Sequence, residues 1–222
     1  MTHVRNTLAA AAVAASAALL CRERAARNDA GAPPASGCAS LHVWGPAAKH
    51  ASRWGTHLAG RCPRALAWGA GAGAAVMENG DLVGFKEGDV AGLAGAAARD
   101  VAINGDNVVF YVTTAGRLMQ WEPFGTGDAA VPTVAHLPGR TVTMVSCGNS
   151  HCLTIDDEGV VYSWATRQGG SKMGVLGREV GSPTPEAEDI PAPVLLPGGG
   201  RAAHCACGDS HRCFVRLHGS KV

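Results

Sequence analysis

Short runs of apolar, β-branched and aromatic residues alternate with polar, glycine-containing turns along residues 38–222. Runs such as VVFYVTT (108–114), RLMQW (117–121) and VVYSW (160–164) are typical of β-strands. Gly80, Gly116 and Gly159 stand between successive runs, where glycine supplies the positive φ of a tight hairpin turn. The pattern therefore predicts an all-β body that is built from hairpins.

The hairpins recur as an internal repeat. In four copies a first glycine lies eleven residues before the turn glycine, at 69 and 80, 105 and 116, 148 and 159, and 208 and 219. The first glycines are 36, 43 and 60 residues apart, and LHVWG (41–45) resembles the final strand of a fifth, partial copy. Antiparallel repeats of about 40 to 50 residues indicate a β-propeller with one blade per repeat.

The best copy, residues 145–177, resembles the repeat of the regulator-of-chromosome-condensation (RCC) family. The residues that carry the resemblance are Cys147, Gly148, His151, Gly159, Val161, Tyr162, Trp164, Gly174, Leu176 and Gly177, with 191–194 closing the repeat. Ala165 stands where the family has glycine. The resemblance covers roughly residues 38–222, is specific over 145–177 and 203–219, and is degenerate over 41–121. It implies the seven-bladed propeller of that family.

The length of the chain conflicts with seven blades. Seven blades of about 50 residues need about 350 residues, whereas residues 38–222 supply 185. The chain also stops at Val222, where the second strand of the last hairpin should begin. We expect an incomplete propeller of about four blades. The alternative is that LHVWG completes the last blade, giving a four-bladed ring or an irregular arc.

Charge separates a head from this body. The net charge of +1 combines eight basic and two acidic residues in 1–65 with eleven basic and sixteen acidic residues in the remainder. The Ala-rich segment 8–20, flanked by arginines, predicts a helix about 20 Å long, shorter than the roughly 30 Å hydrocarbon core of a bilayer. Residues 1–35 are interpreted as a targeting segment or weak membrane anchor, and residues 36–222 as the repeats.

The Arg-rich, acid-poor head fits a mitochondrial presequence. A weak anchor, a secretory signal and a plain Ala-rich surface helix are the alternatives. The head and the order of the degenerate copies together resemble the mitochondrial branch of the RCC family. That branch includes a fungal inner-membrane protein needed for respiratory complex III assembly and animal proteins linked to mitochondrial ribosomes. The resemblance implies a mitochondrial protein of the matrix or inner membrane.

The cysteines and histidines of the repeats suggest two interpretations. Tetrahedral zinc ligation is one, with candidate ligands Cys147, His151, Cys152, Cys205, Cys207, His211 and Cys213. The repeat offers the other, because Cys147 and Cys207, and His151 and His211, occupy equivalent positions on different blades. We favour the second, with mostly reduced thiols, with Cys147 and Cys207 as small buried apolar residues, and with both histidines hydrogen-bonding to backbone. No metal site is therefore predicted.

Other motifs indicate no catalytic residues and no cofactor-binding site, so a non-enzyme is expected. The glycine-rich segments 69–73 and 198–200 lack a phosphate-loop signature and are interpreted as flexible connectors. The acidic triplet Asp156–Glu158 is expected in a solvated turn. The Pro-rich segment 181–197 is interpreted as a loop between blades and as the best candidate for a contact surface.

Three functions follow from these features. The first is a mitochondrial protein-interaction scaffold or assembly factor for a respiratory or ribosomal complex, with protein partners and a possible peripheral or anchored contact with the inner membrane. The second is a guanine-nucleotide exchange factor for a small GTPase, which would use Asp156, Asp157 and Glu158. The third is a chromatin binder, which the apolar run in the head disfavours. The net acidic body argues against nucleic-acid binding.

Overall fold

A computed structural model describes most of the predicted repeat region. The described residues are 62–69, 71–87, 89–125, 131–135, 137, 139–166, 174–178, 189–209 and 212–216. The predicted helix at 8–20 and the LHVWG segment at 41–45 lie outside these residues. The same is true of the turn glycine at 219 and of residues 181–188 of the Pro-rich segment 181–197.

The described residues form antiparallel sheets, as the sequence predicts. Three sheets have four strands each in chain order, and a fourth has two. Sheet I contains β1 (Pro63–Trp68), β2 (Ala72–Met77), β3 (Leu82–Lys86) and β4 (Asp89–Leu93). Sheet II contains β5 (Ala98–Ile103), β6 (Val109–Thr113), β7 (Leu118–Trp121) and β8 (Thr133–Val134). Sheet III contains β9 (Val142–Cys147), β10 (His151–Asp156), β11 (Val161–Ala165) and β12 (Ala192–Val194). Sheet IV contains β13 (Ala202–Cys207) and β14 (Arg212–Arg216).

Each sheet is one repeat of the sequence and one blade of a β-propeller. The first strands of consecutive blades lie beside one another, β1 against β5, β5 against β9 and β9 against β13. Each blade then extends outward through its later strands. The three turn glycines, Gly80, Gly116 and Gly159, have φ values of 83°, 76° and 78°. The prediction that these positions need a left-handed backbone is confirmed.

The hydrophobic core lies between the blades. Successive side chains of one strand pack toward the blade on either side. In β6, Val109 and Tyr111 pack toward blade I, whereas Phe110 and Val112 pack toward blade III. In β10, Cys152 faces blade II, and Leu153 and Ile155 face blade IV. Successive side chains of a strand point to opposite faces, so a strand between two blades is buried on both sides. This is why these strands read as continuous apolar runs in the sequence.

The two repeat glycines fasten each blade to the next one at opposite ends of its second strand. At the turn end, the carbonyls of Gly80, Gly116 and Gly159 accept hydrogen bonds of 2.8–2.9 Å from the first residue of the next inner strand. At the other end, a Cβ built on Gly69 would lie 2.9 Å from the carbonyl oxygen of Asn104, and one built on Gly148 would lie 2.1 Å from that of Gly208. Both glycines are needed because backbone approaches backbone there.

Side chains add further links between inner strands. The Arg64 guanidinium donates a hydrogen bond to the Ala98 carbonyl, and Arg99, at the equivalent position of the next blade, donates to the Val142 carbonyl. Here the side chain of the earlier strand donates. In a third link it accepts, because the buried Asp100 carboxylate of β5 receives a 3.0 Å hydrogen bond from the Val145 amide of β9. These bonds use polar edge groups that the sheets themselves leave unpaired.

Two interpretations from the sequence are corrected in part. In the glycine-rich segment 69–73, Gly73 lies in β2 and pairs with Trp68, so the segment is the corner of a blade rather than only a flexible connector. The segment 181–197 was interpreted as a loop, but it contains β12, which pairs with β11 through Ala192, Pro193 and Val194. Pro193 fits there because an outermost strand tolerates a missing amide donor.

Candidate interaction surfaces

The hairpin of blade III contains a buried carboxylate. Asp156 is only 2% exposed, and its Oδ1 accepts hydrogen bonds from the Glu158 and Val160 amides at 3.1 and 2.8 Å. Its Oδ2 accepts a 3.0 Å bond from the Tyr162 hydroxyl and lies 3.5 Å from Nη1 of Arg140. Burial, followed by the hydrogen bond to Asp156, raises the pKa of Tyr162. Asp156 therefore holds the turn in shape and is not part of a solvated acidic cluster.

The other two acids of the triplet are at the surface. Asp157 and Glu158 are exposed, and Glu158 accepts a 3.1 Å hydrogen bond from Arg140. The triplet thus divides into one structural carboxylate and two carboxylates that solvent or a partner can reach. The sequence predicted all three in a solvated turn, and this is wrong for Asp156 because its side chain points back onto its own hairpin.

The chain after β11 presents apolar side chains to solvent. Leu195 is 91% exposed and Ile190 is 50% exposed, on either side of β12. The segment is anchored by Arg178, which donates to the Ile190 carbonyl at 3.2 Å and to the Ser163 hydroxyl at 3.2 Å. The described end of the Pro-rich segment is therefore held against a rigid blade while two large apolar side chains face outward. Contiguous exposed apolar surface marks protein contact sites, and Ile190 and Leu195 are the exposed large apolar side chains in the described part of this segment.

The cysteine cluster differs from its prediction. Cys147 and Cys152 form a disulfide, and Cys62, Cys205 and Cys207 are thiols. The interpretation of Cys147 as a small buried apolar residue is wrong, since it is half-buried and covalently bonded. Cys207 is also half-buried, and its thiol donates to the Ser146 carbonyl at 3.2 Å. The prediction of mostly reduced thiols missed this bond, which forms because the hairpin register makes Cys147 and Cys152 cross-strand partners.

The histidine of the same corner lies fully inside the blade. His151 is 0% exposed, and a Cβ on Gly148 would lie 3.0 Å from its Cε1. Residue His211 and the side chain of Cys213 lie outside what the structure describes. Within those residues, no group of three or more histidine, cysteine or acidic side chains is placed to hold a metal ion. In the same part of the chain, no helix has the length and apolar character to span a bilayer.

Comparison with known proteins places this architecture among propellers. The chain matches no family model. Human WBSCR16 is similar in structure, with a TM-score of 0.57 and 22% identity over 72% of this chain and 46% of that chain. Prp20p from Saccharomyces cerevisiae, whose structure was described with its binding properties to Gsp1p and histones, gives a TM-score of 0.55 and 16% identity over 72% and 44%.

A third similar structure is yeast RCC1 (Prp20) in complex with Kap60, with a TM-score of 0.53 and 17% identity over 68% of this chain and 40% of that chain. At these identities the shared property is the fold, so the chain has the β-propeller fold of RCC1. It spans less than half the length of each of these three structures.

Proposed function

We propose that this chain is a member of the RCC-type repeat family and acts as a non-enzymatic protein-interaction scaffold in mitochondria. The observation that carries the proposal is the rigid series of blades that presents Ile190 and Leu195 outward beside β12. Loops and connectors on a rigid support are where interaction proteins hold their contact residues. The propeller fold supports the family assignment, together with the repeat signature at 145–177.

The partner is a protein with an apolar contact surface. Leu195 has nine-tenths of its surface in water, so burying it against a partner gains free energy in proportion to the apolar area that is covered. We further propose that the partner is a subunit or assembly factor of a respiratory complex or of the mitochondrial ribosome. The support for this is the basic, Ala-rich segment 1–35, which fits a presequence or a weak anchor to the inner membrane.

Two experiments test the proposal. A fluorescent reporter fused to residues 1–35 should enter mitochondria, and a nuclear or secreted reporter would exclude the compartment. Tagged full-length chain from isolated mitochondria should sediment in a density gradient with a large complex. Sedimentation only as a free monomer would contradict the scaffold role.

A guanine-nucleotide exchange activity is the second candidate, because Asp157 and Glu158 are exposed at one hairpin turn. Acidic groups on a propeller face could compete with nucleotide phosphates for the cations of a GTPase. The test is release of a fluorescent guanine nucleotide from purified small GTPases in the presence of the full chain. Acceleration that is lost in the double substitution Asp157→Ala/Glu158→Ala would favour this candidate, and unchanged release would exclude it for the GTPases tested.

A further inference from the structure

The corner between β9 and β10, residues 148–150, touches both neighbouring blades. On one side, the Gly105 amide of blade II donates a 3.1 Å hydrogen bond to the Asn149 carbonyl. On the other side, Gly148 faces the Gly208 carbonyl of blade IV so closely that a Cβ would lie 2.1 Å from its oxygen. This corner, which we call the Gly148 corner, therefore joins three consecutive blades.

The strand that leads into the corner is also fastened to blade IV. The Cys207 amide donates to the Ser146 hydroxyl at 3.0 Å, and the Cys207 thiol donates to the Ser146 carbonyl at 3.2 Å. On the outer side, the Thr166 amide donates a 2.9 Å bond to the Ser150 carbonyl. The residue that follows β11 is thus hydrogen-bonded to the same corner.

Equivalent corners of the other blades are closed by different chemistry. In blade I, the Trp68 ring packs on Gly73, where a Cβ would lie 2.4 Å from Trp68 Cε3. In blade II, the Asn104 side-chain oxygen accepts hydrogen bonds from the Asp106 and Val108 amides at 3.0 and 2.9 Å. The Gly148 corner is closed by the Cys147–Cys152 disulfide. Of these three corners, it alone can be opened and closed by a redox reaction.

We infer that the Cys147–Cys152 disulfide is a reversible redox latch on the contacts that blade III makes with blades II and IV. Cys152 is fully buried, but Cys147 is half-buried, so a reductant approaches from the Cys147 side. In the oxidised state the bond fixes both strand ends at the Gly148 corner. In the reduced state the corner keeps its cross-strand hydrogen bonds and those to Cys207 and Thr166, but without the covalent bond its contacts with Gly105 and Gly208 loosen. This inference does not depend on the proposed compartment or partner.

A dithiol is the class of reductant that fits. Its first thiolate attacks Sγ of Cys147, forms a mixed disulfide there, and releases the Cys152 thiolate, which takes up a proton. Its second thiol then attacks the mixed disulfide and releases the Cys147 thiolate as the reductant closes to its own disulfide. The protein gains two electrons and two protons, and the dithiol loses the same number.

Hydrogen exchange of the full chain, with and without dithiothreitol, tests the latch. Alkylation and mass measurement should first show a disulfide between Cys147 and Cys152 that dithiothreitol removes. Amide exchange at Gly105 should then accelerate on the order of tenfold or more, because removing a short cross-link frees a local opening. Exchange at Val142, whose amide bonds Gly116 at the opposite end of the same blade interface, should not change.

Variants separate the latch from general loosening. Cys147→Ser/Cys152→Ala should exchange at Gly105 like the reduced protein and no longer respond to dithiothreitol. Cys62→Ser, which changes a cysteine outside the disulfide, should keep the response. Reduction of the unmodified chain gives the answer even if the double variant does not fold. A protein without the disulfide, unchanged exchange at Gly105, or equal acceleration at Val142 would each overturn the inference.

Discussion

Replacing Gly148 by alanine tests how closely consecutive blades approach. The new Cβ would lie 2.1 Å from the Gly208 carbonyl oxygen and 3.0 Å from Cε1 of His151, whereas ordinary contact begins near 3.4 Å. A backbone oxygen cannot rotate away, so the end of β13 must move by about 1.3 Å to restore contact. That movement would also strain the two bonds between Cys207 and Ser146.

Overpacking of this kind costs about 1–3 kcal/mol, and the rigid neighbour places Gly148→Ala near the top of that range. For a chain of this size, a loss of about 3 kcal/mol lowers the melting temperature by roughly 6–12 °C. Urea unfolding followed by tryptophan fluorescence is a suitable assay, because Trp121 and Trp164 are buried between blades at 4% and 3% exposure.

The matched control is Gly92→Ala. Gly92 lies in β4, and a Cβ there would meet nothing within 4 Å. Its substitution should leave stability unchanged or raise it by about 0.4–1 kcal/mol, because alanine restricts the unfolded chain. Equal stability of the Gly148→Ala and Gly92→Ala variants would refute the close approach of blades III and IV.

Three further predictions concern buried groups and the surface. Asp156→Ala should cost about 2–4 kcal/mol in urea unfolding, since two amides and a hydroxyl lose their acceptor, whereas Asp157→Ala, at an exposed residue, should change stability by less than about 0.5 kcal/mol. Burial raises the pKa of Tyr111 above its usual value near 10, so the stability from its neutral form is complete below pH 10 and lost as pH rises through the folded pKa. The Tyr111→Phe variant should therefore lose less stability than the unmodified chain as the pH rises above 10, and parallel stability curves would contradict this. Leu153→Ala should cost about 2–5 kcal/mol because it opens a cavity between blades III and IV, while Leu195→Ala, at 91% exposure, should melt like the unmodified chain.

The blades could be predicted from the sequence because the repeat is marked by positions where the backbone requires glycine. Positive φ at Gly80, Gly116 and Gly159 and close approach at Gly69 and Gly148 both demand glycine, so the eleven-residue offset survives where other positions vary. The strands were equally visible, because burial between two blades requires apolar residues on both faces.

The surface chemistry was less visible because it depends on where individual side chains point. Asp156, Asp157 and Glu158 are identical in kind along the chain, yet the fold turns one inward onto Tyr162 and leaves two in solvent. The disulfide needs a register in which Cys147 and Cys152 are opposite each other, and this register is a property of the hairpin rather than of cysteine spacing. The short strand β12 was hidden because proline-rich composition is typical of loops.

Site-specific photo-crosslinking tests the proposed scaffold role most directly. A photoreactive residue would replace Leu195 in the full chain in mitochondria, with Glu78, an exposed residue at the turn of blade I, as the control position. The scaffold account predicts crosslinks from position 195, but not from position 78, to a subunit or assembly factor of one large complex. Equal crosslinking from both positions, or none from position 195, would contradict it.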